Sequence, residues 1–167
     1  MALGERDLYA CYQRLERPLL NVLYRMLWNR HECEDLMQDA FLRVWRRRDQ
    51  VAADTLDSLV WVSALNLARN RLRWHRLWRS ETFDAEWPDH APTPEESANR
   101  LMQQRRLHDA LRRLPGAMRE VVLLSKFAEL GHSEIASVLQ IPSGTVASRL
   151  HQALGRLRAL LSEDGDD

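Results

Sequence analysis

Apolar side chains recur every three or four positions through most of this chain, and no stretch sustains the two-residue alternation of a half-buried strand. In the N-terminal half the stripes cover residues 6–28, 32–48 and 56–78. In the C-terminal half they cover 95–113, 116–128, 133–139 and 143–161. The pattern predicts an all-α fold. Between the halves the periodicity fails over Ser80 to Thr93, where Trp87-Pro88-Asp89-His90-Ala91-Pro92-Thr93-Pro94 mixes prolines with acids. Two small helical domains, residues 1–79 and 95–167, are therefore expected on either side of a flexible linker at 80–94. The linker ends in a helix start, with Thr93 as N-cap, Pro94 at the first helical position and Glu96 completing a capping box.

Within these segments the sequence suggests finer detail. Pro18 lacks a backbone donor, so helix 6–28 is expected to kink or split there. Helix 32–48 places Leu36, Met37, Ala40, Phe41, Val44 and Trp45 on one face and Glu34, Asp35, Gln38 and Asp39 on the other. Helix 56–78 is expected to bury Leu59, Val62, Leu65, Ala68 and Leu72, leaving Ser63, Asn66, Arg69, Asn70, Arg73 and Arg76 on the opposite side. Pro115 and Gly116 separate the first two C-terminal helices, Gly131 is expected to close the second, and Pro142 precedes the last. The final pair, joined by a short turn, has the punctuation of a helix-turn-helix.

Charge sharpens this picture. The formal net charge is zero, with 24 basic and 24 acidic residues among 167. Residues 43–79, however, hold nine Arg and three Asp, whereas residues 80–104 hold six acids and one Arg. A basic stripe thus precedes an acidic segment. The N-terminus lacks the order of a signal peptide and no apolar run is long enough to span a bilayer, so a cytoplasmic protein is expected. Cys11 and Cys33 form no Cys-x-x-Cys pair, and a disulfide between them is not expected.

The last helix carries Val146, Leu150, Ala153, Leu154, Leu157 and Leu161 on one side and Thr145, Ser148, Arg149, Gln152 and Arg156 on the other. Such a polar edge is either a solvated face or one suited to a DNA groove, where Arg pairs with guanine and Gln with adenine. Trp74 and Trp78, among arginines, either stack on bases or pack with cation–π support. Enzymatic motifs are missing: there is no Gly-rich phosphate loop, metal-binding His-Glu-x-x-His helix or nucleophile elbow. The six histidines are scattered, so no metal site, cofactor or small-molecule substrate is expected.

Three blocks of sequence go further. Leu114-Pro115-Gly116-Ala117-Met118-Arg119-Glu120-Val121-Val122-Leu123-Leu124, Ser133-Glu134-Ile135-Ala136 and Ile141-Pro142-Ser143-Gly144-Thr145-Val146-Ala147-Ser148-Arg149-Leu150-His151 together resemble region 4 of the extracytoplasmic-function (ECF, group IV) RNA polymerase sigma factors. His31 to Trp45 resembles region 2 of the same family, and Trp61 to Trp74 its promoter-opening segment. The resemblance implies a non-enzymatic transcription initiation factor with core RNA polymerase and promoter DNA as partners. It implies polymerase contact by Glu34, Asp35, Gln38, Asp39 and Phe41, although Phe41 at helical spacing also suits a core position. The acids, taken alone, also suit a favourable charge bias at a helix N-terminus. By the same resemblance, Asn66, Arg69, Asn70, Arg73, Trp74 and Arg76 face the −10 element, and Ser143, Thr145, Ser148, Arg149 and Gln152 the −35 element. The loop from Gln50 to Leu56 corresponds to the family's base-capturing loop. Asp84, Glu86 and Asp89 either mimic phosphate charge in the polymerase cleft or simply solubilise a tether.

Ala147 and Gln152 depart from the family's frequent Lys or Arg, which weakens the expected phosphate anchoring. An anti-sigma factor, often membrane-anchored in this family, is a further implied partner. The alternative is a helix-turn-helix regulator that acts without core polymerase.

Overall fold

The computed structural model describes residues 3–78 and 94–163, excepting the side chains of 94–97. Among these residues the chain forms seven α-helices: α1 (Glu5–Leu27), α2 (Arg30–Arg46), α3 (Leu56–Trp78), α4 (Pro94–Arg113), α5 (Gly116–Lys126), α6 (His132–Leu139) and α7 (Ser143–Glu163). No described residue lies in a strand. Among the described residues no helix is long and apolar enough to cross a membrane. The expected linker and the Thr93–Glu96 capping box lie outside the described residues or side chains.

Helices α1, α2 and α3 pack against one another around Leu19, Val22, Leu23, Ala40, Val60, Ala64 and Leu65. The reversal from α1 to α2 takes only Trp28 and Asn29. Trp28 adopts a left-handed conformation, φ 53°, which its amide uses to reach the Tyr24 carbonyl and end α1. A non-glycine residue pays for that conformation. Burial of the indole against Tyr24, with ring centroids 5.2 Å apart, offsets the cost. Asn29 then opens α2 by accepting the Glu32 amide proton at 3.0 Å.

The split that was one expectation at Pro18 does not occur: α1 runs as one helix from Glu5 to Leu27. Pro18 cannot donate to the carbonyl four residues back, that of Arg14. Arg14 is exposed, while Leu15 and Leu19 on either side of the proline are buried, so packing holds the helix through the missing bond. The expected phase of α3 is also corrected. Leu59 is 37% exposed and Val62 only half-buried, whereas Leu56, Val60, Trp61 and Ala64 are buried. Trp61 is the reason: turning it inward rotates the buried arc away from Leu59.

In the C-terminal group, α5, α6 and α7 enclose Val121, Leu123, Leu124, Ile135, Val146 and Ala153, with Leu111 and Leu114 of α4 alongside. Gly131 does not close α5 as expected. The left-handed residue after α5 is Glu129, φ 57°, and Gly131 sits at φ −73° as the N-cap of α6, its amide donating to Glu134 at 3.4 Å. Gln140, φ 56°, ends α6, and the chain turns through Ile141 and Pro142 into α7. Arg119 fixes the corner between α4 and α5 by donating to the carbonyls of Leu111, Arg112 and Leu114 at 2.8, 3.1 and 3.1 Å.

Both cysteines are buried, and neither is part of a disulfide. Burial, followed by the hydrogen bond to Asp57 and the charge of that carboxylate, pushes the Cys11 thiol from 9.0 up to about 12. Burial also disfavours the Asp57 charge. The hydrogen bonds from Arg14 and Cys11, with the Arg14 charge, outweigh it and hold Asp57 below its ordinary value.

Two outcomes follow from this core. Leu19→Ala, at a fully buried position, is expected to lower unfolding free energy by about 2–5 kcal/mol in urea titrations. Above about pH 9 the unfolded Cys11 thiol loses a proton that the native thiol keeps, so the unfolded state binds fewer protons and stability falls until about pH 12. Urea midpoints at about pH 8 and pH 10 are therefore expected to differ less in Cys11→Ala than in the parent chain.

Candidate functional site

Three surfaces gather the residues singled out in the sequence. On α2, Glu34, Asp35 and Gln38 are exposed and Asp39 is half-buried. Each acid meets a base of its own helix: Arg30 Nε lies 3.2 Å from Glu34, His31 Nε2 3.6 Å from Asp35, and Arg43 Nε 3.3 Å from Asp39. Exposed i,i+4 pairs of this kind are worth only about 0.3–0.5 kcal/mol and exchange partners readily. Phe41 lies beside that edge, in a groove that Glu34 and Gln38 also line. It is only 7% exposed and tilts against Tyr12, with ring centroids 5.2 Å apart.

Phe41 forms part of a groove of about 670 Å³ between α1 and α2, lined also by Tyr9, Tyr12, Met37, Leu42 and Trp45. Tyr9 and Leu42 stand 63% and 45% exposed beside it. Sequence reasoning passed over both. Their exposure is a signal only after the phases of α1 and α2 are known.

The second surface is the outer side of α3. Asn66, Asn70, Arg73 and Arg76 are exposed, and Trp74 is 46% exposed. The Trp74 ring lies 6.5 Å from that of Trp78, and the Arg71 guanidinium sits 5.9 Å from its centre. Arg69 differs from these neighbours. Its Nη1 donates to Asn66 Oδ1 at 2.8 Å, while its Nε and Nη2 donate to the carboxylate of Glu120 on α5. His75, one of the scattered histidines, is buried with Nε2 2.8 Å from Glu32 Oε2 and pins α3 to α2.

Leading into α3, residues 48–55 form two short 3₁₀ turns, Arg48–Gln50 and Ala53–Thr55, with Val51 buried between them. Thr55 Oγ1 donates to the Ala52 carbonyl at 2.9 Å. The amides of Gln50, Val51 and Thr55 also donate to the carbonyls of Arg47, Arg48 and Ala52, and the Leu3 amide reaches Arg48 from outside the loop. Asp84, Glu86 and Asp89 lie outside the described residues.

The third surface is the start of α7. Ser143, Ser148 and Gln152 are exposed, and Thr145 and Arg149 are half-buried on the same edge. Ile135 and Val138 of α6 and Val146 and Ala153 of α7 are buried beneath, so the short turn at 140–142 sets the pitch of one helix against the other. The amides of Thr145 and Val146 bond to the Pro142 carbonyl, and the Ser148 hydroxyl donates to Thr145. The exposed N-terminal half of such a helix offers side chains to base edges.

Residues 11–77 match the model of Sigma-70 region 2, and residues 104–157 match that of Sigma-70, region 4. The ECF RNA polymerase sigma factor RpoE of Cereibacter sphaeroides is 32% identical over 136 residues, covering 78% of this chain and 73% of that protein. The ECF RNA polymerase sigma factor SigL of Mycobacterium tuberculosis is 30% identical over 162 residues, covering 93% and 89%. In fold, the chain is similar to CnrH as solved in complex with the cytosolic domain of CnrY: the TM-score is 0.74 at 22% identity, over 96% of this chain and 91% of that one. Two region models in order, and relatives that match along most of their own length, place the chain in the family of ECF RNA polymerase sigma factors.

Proposed function

We propose that this chain acts in the cytoplasm as a promoter-specificity subunit, binding core RNA polymerase and directing initiation at promoters with its own −10 and −35 elements. Residues 1–79 form the polymerase-binding and −10 domain, 80–94 the linker, and 95–167 the −35 domain. The reading is carried by one observation: the two matched regions fall on separate helical groups, each with an exposed polar helix edge. Synthesis of RNA is the polymerase's chemistry, and this chain supplies recognition.

Each surface has a role suited to its physics. Glu34, Asp35, Gln38 and Asp39 offer carboxylates and an amide to cationic side chains of a partner helix, with Phe41 in the apolar groove behind them. Asn66, Arg69, Asn70, Arg73 and Arg76 hold phosphates and base edges of the −10 segment, and Trp74 offers a ring to an unstacked base. Ser143, Thr145, Ser148, Arg149 and Gln152 read the −35 element in the major groove. A regulatory protein is a further partner. CnrH was solved with the cytosolic domain of CnrY, and a further sigma factor, the RpoE of Bartonella quintana, with the anti-sigma factor NepR. We extend such an association to this chain.

The test is transcription of fragmented genomic DNA by purified core polymerase, with and without the chain, followed by sequencing of transcript 5′ ends. New starts preceded by shared −10 and −35 sequences are expected; no shared element overturns the proposal. A gel shift separates the regulator alternative, which requires promoter binding in the absence of core. On such a promoter, Arg149→Ala is expected to cost about 1–3 kcal/mol and relax preference at one −35 position. Asp35→Arg with Asp39→Arg is expected to weaken core binding at least tenfold while circular dichroism stays unchanged, because the pairs being broken are exposed.

A further inference from the structure

Helices α3 and α5 lie in different matched regions, yet a two-pronged ion pair joins them. The Nε and Nη2 of Arg69 both donate to the Glu120 carboxylate, Nη2 to Oε2 at 2.9 Å. The Glu120 side chain is 13% exposed and that of Arg69 38%. Hydrogen bonding to Glu120 raises Arg69 above its ordinary value against the opposing effect of burial. Contacts nearby extend the junction. Asn21 donates to the Phe127 carbonyl at 3.4 Å, the Arg25 guanidinium lies 4.3 Å from the Phe127 ring centre, and the Trp28 and His108 rings meet edge-on at 4.8 Å. Helix α6 packs on α3 as well.

The chemistry of the pair is specific. Parallel N–H donors on one guanidinium, received by two oxygens of one anion, are also the geometry in which arginine takes a phosphate. Glu120 therefore stands where a backbone phosphate has to stand if Arg69 is to hold DNA. Arg69 in turn draws in Asn66, whose Oδ1 accepts from Nη1 at 2.8 Å. Two residues of the outer α3 surface thus turn toward the chain itself.

We propose that Glu120 is an intramolecular phosphate mimic, so that closure of α5 on α3 and capture of a nucleic-acid phosphate by Arg69 are mutually exclusive. The competition rests on reading α3 as a DNA-facing helix; the closure itself does not. In the closed form only the fraction of molecules that opens is competent for phosphate at Arg69, and apparent affinity falls by that fraction. A partner that holds the two groups apart raises that fraction, so core polymerase and DNA reinforce each other through one ion pair.

The experiment uses the full chain with Glu120→Gln, Arg69→Gln and the reversed pair Arg69→Glu with Glu120→Arg. Small-angle scattering reports closure, anisotropy of a labelled mixed-sequence single-stranded oligonucleotide reports phosphate binding, and circular dichroism reports folding. Glu120→Gln is expected to expand the chain and tighten oligonucleotide binding about fivefold, within the range of typical couplings. Arg69→Gln is expected to expand it and weaken binding. The reversed pair is expected to restore the compact profile without restoring binding, which separates loss of the latch from loss of the fold.

A Glu120→Gln chain that keeps both the parent profile and the parent affinity overturns the latch. Expansion without tighter binding overturns the competition, and Arg69→Gln then tells which premise failed. If that variant binds normally, Arg69 is no DNA contact and the reading of α3 fails at that residue. If it binds weakly, the DNA reading stands and only the mimicry is lost.

Discussion

Helix α3 has to be covered from two directions, and the rest of the molecule is arranged around that requirement. Its inner arc, Leu56, Val60, Trp61, Ala64, Leu65 and Ala68, is apolar and closes the N-terminal core. His75 fastens its far end to Glu32 on α2. Its outer side carries cations that no apolar neighbour satisfies. Glu120 meets one of them from a residue 51 positions away, so the same helix is a core element and an electrostatic partner. A carboxylate this shielded is costly without a counter-charge, and a guanidinium supplies both charge and directed donors.

The local features of this fold were legible because their causes are local. The extent of α3 follows from its apolar periodicity, and the start of α7 from Pro142 ahead of Ser143. That the two cysteines stay unbridged followed from the helices that hold them apart. The phase of α3 was not legible. Its apolar residues span too wide an arc for periodicity to choose between Leu59 and Trp61, and the choice is made by the neighbours that α1 and α2 present. Gly131 misled for a related reason. Glycine favours a left-handed helix end, but here Glu129 takes that conformation and frees Gly131 to begin the next helix.

The candidate surfaces divide in the same way. The edge of α7 and the acids of α2 could be placed from helical spacing, and they are exposed, with Arg149, Thr145 and Asp39 partly covered. Phe41, left between core and contact by the sequence, is buried against Tyr12. Tyr9 and Leu42 emerged only in three dimensions, since the groove beside them needs two helices to exist. The Arg69 to Glu120 contact left no trace in the sequence, because neither residue is unusual on its own helix. It arises where two amphipathic groups meet.

The acids along α2 bear on speed as well as strength. Glu34 and Asp39 each already have an arginine of α2 within reach, so at these two positions the edge shows an approaching partner dipoles where bare carboxylates would show a negative field. Long-range attraction between charged proteins depends on such a field. A cationic partner therefore gains little steering toward these two positions from a distance and meets the charges only at contact, when exchange of one base for another leaves the total charge unchanged. If the proposed docking uses this edge, its association loses less to added salt than a row of unpaired acids would.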